Sequence, residues 1–220
     1  MGNHNRKRER DVRNEAIERY VERAFPSQYG LVISGGKLIG DWGNVARHCF
    51  VQTVAAEEMA DLLGLSHQEK LLLASVAACH DWEKRLQRKS TDFTDEEKKD
   101  AQVLFQAAHP DAMLMGALTP YFLLKVLAGE ASFLQLIQFL IDDMAKGDEF
   151  VSFDERIDEV SARNPNPEPE VQEELGRPYW DVEREIGHGV EKMVYAILNA
   201  RHIPCASIAV AINERLKNRF

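Results

Sequence analysis

The run Leu71-Leu72-Leu73-Ala74-Ser75-Val76-Ala77-Ala78-Cys79 constrains the fold most, because it is apolar on nearly every side and then ends in His80-Asp81. A helix hydrophobic all round belongs inside a protein rather than on its surface. An imidazole and a carboxylate at its inner end cost several kcal/mol in desolvation unless something compensates them. A divalent cation does so, since neutral imidazole nitrogen and ionised carboxylate oxygen are its usual protein ligands. His48, 32 residues before His80, and an aspartate at position 142 or 143 supply the same ligand types from other segments.

The remainder of the chain reads as helix almost throughout. Val12 to Ala24 is a charged amphipathic helix stopped by Phe25-Pro26. Leu31-Val32-Ile33-Ser34-Gly35-Gly36 is the one strand-like piece, and it leads into a glycine-containing loop through Gly43. Gly36-Lys37 lacks the upstream glycine spacing and the following Ser or Thr of a phosphate-binding Walker loop, so this segment is read as a turn. A helix is expected from Asp41 or Asn44 to about Leu63, ended by Gly64, with His48 in its first or second turn. Ser66 with Glu69, Thr94 with Glu97, and Ser152 with Glu155 have the spacing of capping boxes. The helix after Thr94 ends at His109-Pro110. Further helices are expected over Pro120–Ala128 and Glu130–Lys146, the second with Phe133, Leu134, Leu136, Ile137, Leu140, Ile141 and Met144 on one face.

These signals predict an all-α fold, a bundle of short antiparallel helices occupying residues 1–163 with its N-terminal helix. Asn164-Pro165-Asn166-Pro167-Glu168-Pro169 reads as a stiff linker. Beyond it, within 164–220, two amphipathic helices, Trp180–Asn199 and Ala206–Asn218, either pack back on the bundle or make a homodimer surface.

Charge and cysteine usage narrow the partners. With 220 residues and a formal charge of −9, the chain repels polyanions, which argues against duplex nucleic acid or an anionic membrane. A small phosphorylated substrate stays open, because a metal and a few local cations set the field of a pocket. Cys49, Cys79 and Cys205 have no paired spacing and read as buried thiols in a reducing cytosol rather than a zinc-thiolate site. The basic stretch Met1–Arg13 lacks the apolar core of a secretory signal, and no run reaches the roughly 18 apolar residues of a membrane span. A cytoplasmic protein is expected.

The order His48, His80-Asp81, Asp142, with the pair extended to His80-Asp81-Trp82-Glu83-Lys84, resembles the HD-domain metal-dependent phosphohydrolases over roughly residues 44 to 160. The resemblance implies that His48, His80, Asp81 and Asp142 ligate one divalent ion (manganese, iron, cobalt, nickel, zinc or magnesium). Asp142 follows the short apolar run Leu140-Ile141, as the family's closing aspartate does, although Asp143 flanks the same stripe. By the same resemblance, Lys84 helps bind phosphate and Asp81 orients the attacking water, with Glu83 as a weaker base. His109 either faces the substrate phosphate or a second metal, or only terminates its helix. The adjacent His-His pair and GYP signature of the two-metal HD subgroup are absent.

The function so implied is hydrolysis of a phosphate ester of a nucleotide or other small phosphorylated metabolite. The alternative is a non-catalytic HD module serving as a ligand sensor or dimerisation scaffold. A third frame, an HD oxygenase with two irons, needs further ligands near His109 that the sequence does not offer. Arg47 and Arg85 lie near enough in sequence to reach phosphate, and Trp42 and Trp82 flank the ligands. His4, His67, His188 and His202 have no matching partners and receive no role.

Overall fold

A computed structural model describes residues 33–34, 37–38, 43–81, 99, 110–147 and 149–218. Trp82, Glu83, Lys84 and His109 lie outside the described residues, as do the expected helices over Val12–Ala24 and after Thr94. Ile33–Ser34 (β1) and Lys37–Leu38 (β2) form a minimal antiparallel ladder.

The described part is predominantly helical. Gly43–Leu63 forms α1. Its end has Gly64 in the left-handed region at φ 71°, with Leu65 N–H donating to Ala60 O at 2.9 Å and Gly64 N–H to Asp61 O at 3.2 Å. This double bond pattern is the Schellman motif, which glycine adopts without strain. His67–Cys79 forms α2 behind the Ser66/Glu69 capping box. Its second half is buried from Leu73 through Cys79 apart from Ser75, but Leu71 is 56% exposed. The apolar run therefore enters the core only after its first turn, because the capping box holds that turn at the surface.

Ala112–Gly116 (α3) and Phe122–Leu127 (α4) lead to Phe133–Met144 (α5), capped by reciprocal Ser132 and Gln135 bonds. The last two residues of the expected Glu130–Lys146 helix instead pair as β3 (Ala145–Lys146) with β4 (Glu149–Phe150), turning at Gly147 with φ 62°. Phe153–Arg163 (α6) follows, with Ser152 accepting from the Glu155 N–H.

The proline-rich segment is shorter than its sequence suggests. Pro169 opens α7 (Pro169–Leu175) at a position where a missing N–H costs nothing. Tyr179–Ala200 (α8) and Ile208–Asn218 (α9) are the last described elements. Both lie on the bundle: α8 packs against α1, α4, α5 and α6, and α9 against α1 and β4. Asn213 fixes α9 by accepting from Phe150 N–H at 3.1 Å and donating to Phe150 O at 2.6 Å. One continuous apolar core runs from Phe50 to Leu216. Among the described residues no helix is long and apolar enough to cross a membrane.

Candidate metal centre

Three mutually packed helices, α1, α2 and α5, bring the site together. His48 projects from the second turn of α1, His80 caps the C-terminal end of α2, and Asp142 lies near the end of α5. The His48 and His80 rings are 5.2 Å apart between centroids. Asp142 Oδ1 is 3.6 Å from His48 Nε2 and 3.5 Å from His80 Nε2. Asp81 lies beside the two rings, with Oδ2 3.7 Å from His48 Nε2 and Oδ1 3.6 Å from His80 Nε2. Two ligands about 2.1 Å from one tetrahedral ion stand about 3.4 Å apart, which is close to all four separations. His48, His80 and Asp142 form a group whose ligand atoms all lie within 4.8 Å of one another and which can hold a metal ion.

The hydrogen bonds sharpen this fit. His80 Nδ1 lies 2.9 Å from Ala77 O, so in the neutral ring the proton sits there and the lone pair is on Nε2. His80 Nε2 is buried and has no hydrogen-bond partner among the described residues. A buried acceptor without a donor costs about 1–3 kcal/mol. A cation between the rings and the carboxylates removes that cost.

Burial opposes charging His80, but the Cys49 thiol group and the carboxylates of Asp81 and Asp142 outweigh it and raise its pKa to about 9. Without metal, a proton takes the place of the ion. Cys49 Sγ lies 3.9 Å from His80 Nδ1. Cys79, one residue before His80, is pushed up to about 12 by burial, so its thiol is not a ligand near neutral pH.

Gln52, one turn after His48, is a site residue that the motif does not announce. It is fully buried, its amide nitrogen lies 2.9 Å from His48 Nε2, and the same nitrogen donates to Asp142 Oδ1. The amide therefore bridges the two ligating atoms in place of an ion, and it would have to turn aside for His48 Nε2 to offer its lone pair to a metal. The sequence carries only its i+4 spacing from His48, which puts the two side chains on one helix face.

Asp143 turns the other way. It faces Glu183 on α8, which also bonds the Tyr179 hydroxyl. Burial raises both carboxyls, Glu183 to about 7, and the like charge of Asp142 raises both further, while Glu183 also raises Asp143. Burial and the same carboxylates push the Tyr179 phenol well above its usual range. His188 is a surface residue whose Nε2 lies 2.8 Å from Asp154, and His67 opens α2 at the surface, both away from the centre.

No family model, curated protein or solved structure matches this chain.

Proposed function

We propose that the chain is an HD-type metal-dependent phosphohydrolase that cleaves a phosphate ester of a nucleotide or another small phosphorylated metabolite. The observation that carries this reading is the convergence of His48, His80, Asp81 and Asp142, with the His80 Nε2 lone pair buried and unmatched. Mixed nitrogen and oxygen donors suit manganese, iron, cobalt, nickel or zinc better than an all-oxygen ion.

His48, His80 and Asp142 would hold the ion, with Asp81 beside it. A bound divalent ion lowers the pKa of a coordinated water and neutralises charge on a phosphoryl oxygen, and phosphoester hydrolysis needs both. Asp81, 8% exposed and beside both imidazoles, would serve as the acceptor for the proton of the attacking water. Ala77 O fixes the His80 tautomer, whereas the Gln52 amide occupies His48 Nε2 and Asp142 Oδ1 themselves and would have to turn aside to admit the ion. A tautomer-fixing bond of this kind typically matters by about 10–100-fold in metal affinity or activity. On sequence grounds Lys84 and His109 remain the proposed phosphate-side residues, and Glu83 the weaker alternative base. The same reading puts the protein in the cytoplasm, where the free thiols Cys49, Cys79 and Cys205 stay reduced.

One observation favours the non-catalytic module instead. The cleft next to Asp142 is lined by Asp143 and Glu183, which repel an anionic ester. Metal analysis of the purified chain, with phosphate release from p-nitrophenyl esters and a nucleotide panel, separates the two. Metal-dependent turnover that disappears in a folded Asp81→Ala variant is the expected result. Bound metal with no hydrolysis of any ester favours the sensor or scaffold, and undiminished turnover in Asp81→Ala refutes the mechanism.

A further inference from the structure

His48, His80, Asp81 and Asp142 converge at the metal centre, and a fifth side chain already reaches into it. Gln52, one turn after His48 on α1, has no exposed surface. Its Nε2 lies 2.9 Å from His48 Nε2 and donates to Asp142 Oδ1. Its Oε1 is buried with no hydrogen-bond partner among the described residues. The amide is thus oriented for the metal-free protein. Its NH₂ group faces the lone pairs of two ligands, and its carbonyl oxygen stays desolvated and unmatched.

Metal binding needs the lone pairs that this NH₂ group occupies, so the amide has to move. A fully buried side chain in a close-packed core has no space to swing out. The terminal torsion of glutamine is broad and roughly two-fold, so turning the amide over exchanges nitrogen and oxygen while displacing its neighbours little. Turned over, Oε1 takes the present place of Nε2, 2.9 Å from His48 Nε2. At bond lengths of about 2.1 Å, ligands about 90° apart stand about 3.0 Å from each other, and those about 120° apart stand about 3.6 Å from each other. The amide oxygen meets the first spacing, and the four His–Asp separations of 3.5 to 3.7 Å meet the second. The NH₂ group moves into the place that Oε1 held. One partnerless buried group therefore replaces another, and that cost largely cancels.

We infer that Gln52 is a further metal ligand: its amide serves the metal-free centre as a donor and turns over to present Oε1 to a bound divalent ion. The inference rests on the metal-centre reading and needs no hydrolytic activity. An amide oxygen is a neutral, hard donor. Added to two imidazoles and two carboxylates, it takes the coordination number above the four of a tetrahedral zinc site. It also raises the affinity for an oxygen-seeking ion such as manganese relative to zinc.

The test strips the full chain with chelator and titrates it with Mn²⁺ and Zn²⁺ against a competing metal-sensitive dye, as wild type, Gln52→Met and Gln52→Glu. Methionine has the same length, adapts to a buried space and offers no oxygen. Loss of a partner outside the ligand shell costs about 10–100-fold in affinity, so loss of a ligand should weaken Mn²⁺ binding at least tenfold in Gln52→Met. The ratio of Mn²⁺ to Zn²⁺ affinity should fall with it. Gln52→Glu, which keeps an oxygen at the same place, should bind Mn²⁺ at least as tightly as the wild type. The visible absorption of bound Co²⁺ strengthens as its coordination number falls towards four, so it should be stronger in Gln52→Met. Unchanged or tighter Mn²⁺ binding in Gln52→Met overturns the inference, because the amide then only competes with the ion. Weaker binding with an unaltered Co²⁺ spectrum also overturns it, since a structural support would do the same. Should Gln52→Met not fold, a crystal structure of the wild type with Mn²⁺ decides. Oε1 at about 2.2 Å from the ion supports the inference, and an amide turned elsewhere overturns it. Absence of metal uptake by the wild type sinks the metal centre itself, whereas uptake through Gln52 without turnover removes only the hydrolase reading.

Discussion

Replacing Asp142 by asparagine isolates the contribution of charge at the metal centre, because the amide keeps the size and one acceptor oxygen of the carboxylate. In the metal-free protein that oxygen still accepts from the Gln52 amide, so the fold should survive. With metal the difference is large. Asp142 Oδ1 stands 3.6 and 3.5 Å from the two imidazole Nε2 atoms, at the shared corner of the site, so no other side chain replaces it without moving a helix. Loss of a supporting bond outside the ligand shell costs up to about 100-fold in affinity, and loss of a ligand charge costs at least that much. At metal 100 times above the wild-type Kd, binding stabilises the folded state by about 2.7 kcal/mol. A 100-fold weaker variant under the same conditions gains about 0.4 kcal/mol. At roughly 2–4 °C per kcal/mol for a chain of this size, the wild type should gain about 5–11 °C in Tm and Asp142→Asn about 1 °C. Thermal scanning with Mn²⁺ or Zn²⁺ against chelator measures both, with Asp143→Asn as the contrast that keeps the shift. An undiminished shift in Asp142→Asn, or its loss in Asp143→Asn alone, would show that the wrong aspartate had been assigned.

Two further outcomes follow from the same geometry. In chelated protein His80 has its pKa raised to about 9 from 6.5, so its stabilising contribution is complete below pH 6.5 and is lost as the pH rises through 9. Glu183, raised by burial to about 7 from 4.5, contributes fully below pH 4.5 and loses that contribution as the pH rises through 7. Both terms have one sign, so the chelated protein should melt lower at pH 9 than at pH 6; an equal or higher Tm at pH 9 contradicts them. In the core, a Cβ at Gly187 would meet Phe153 Cζ at 2.0 Å, whereas one at Gly189 meets nothing within 4 Å. Gly187→Ala should cost about 1–3 kcal/mol by overpacking and Gly189→Ala should stabilise by up to about 1 kcal/mol, measured by denaturant melts; equal effects would mean that Phe153 yields freely.

The helices were legible where local chemistry decides them. Gly64 stops α1 because its N–H and that of Leu65 reach back to carbonyls that only a left-handed residue allows. Ser66 with Glu69 starts α2 by side-chain bonds that need no tertiary partner. What the sequence obscured depends on contacts distant in the chain. Ala145 and Lys146 leave the helical pattern because Gly147 turns them onto Glu149 and Phe150, and Asn213 on α9 then bonds the Phe150 backbone. Pro169 looks like one more residue of a rigid linker until Val171 is seen to be fully buried in the core, where a helix carries it.

The site divides along the same line. His48 and His80 stand out because a helix that enters the core has no other use for an imidazole at its inner end. Gln52 and Glu183 do not stand out, since a single amide or carboxylate on an amphipathic helix normally faces water. Only the packing of α1 and α8 against α5 puts them inside. The Asp142-Asp143 pair shows why the sequence could narrow the last ligand to two residues and go no further. Both carboxylates flank one apolar stripe, and a helix turns about 100° between them, so one had to face α1 and α2 while the other faced α8. Which one does so is set by the rotation of α5 about its own axis. The burial of Ile137, Leu140, Ile141 and Met144 fixes that rotation, and with it the facing of both carboxylates. A change that re-registers this stripe would therefore turn Asp142 away from His48 and His80, and metal uptake would be lost with it.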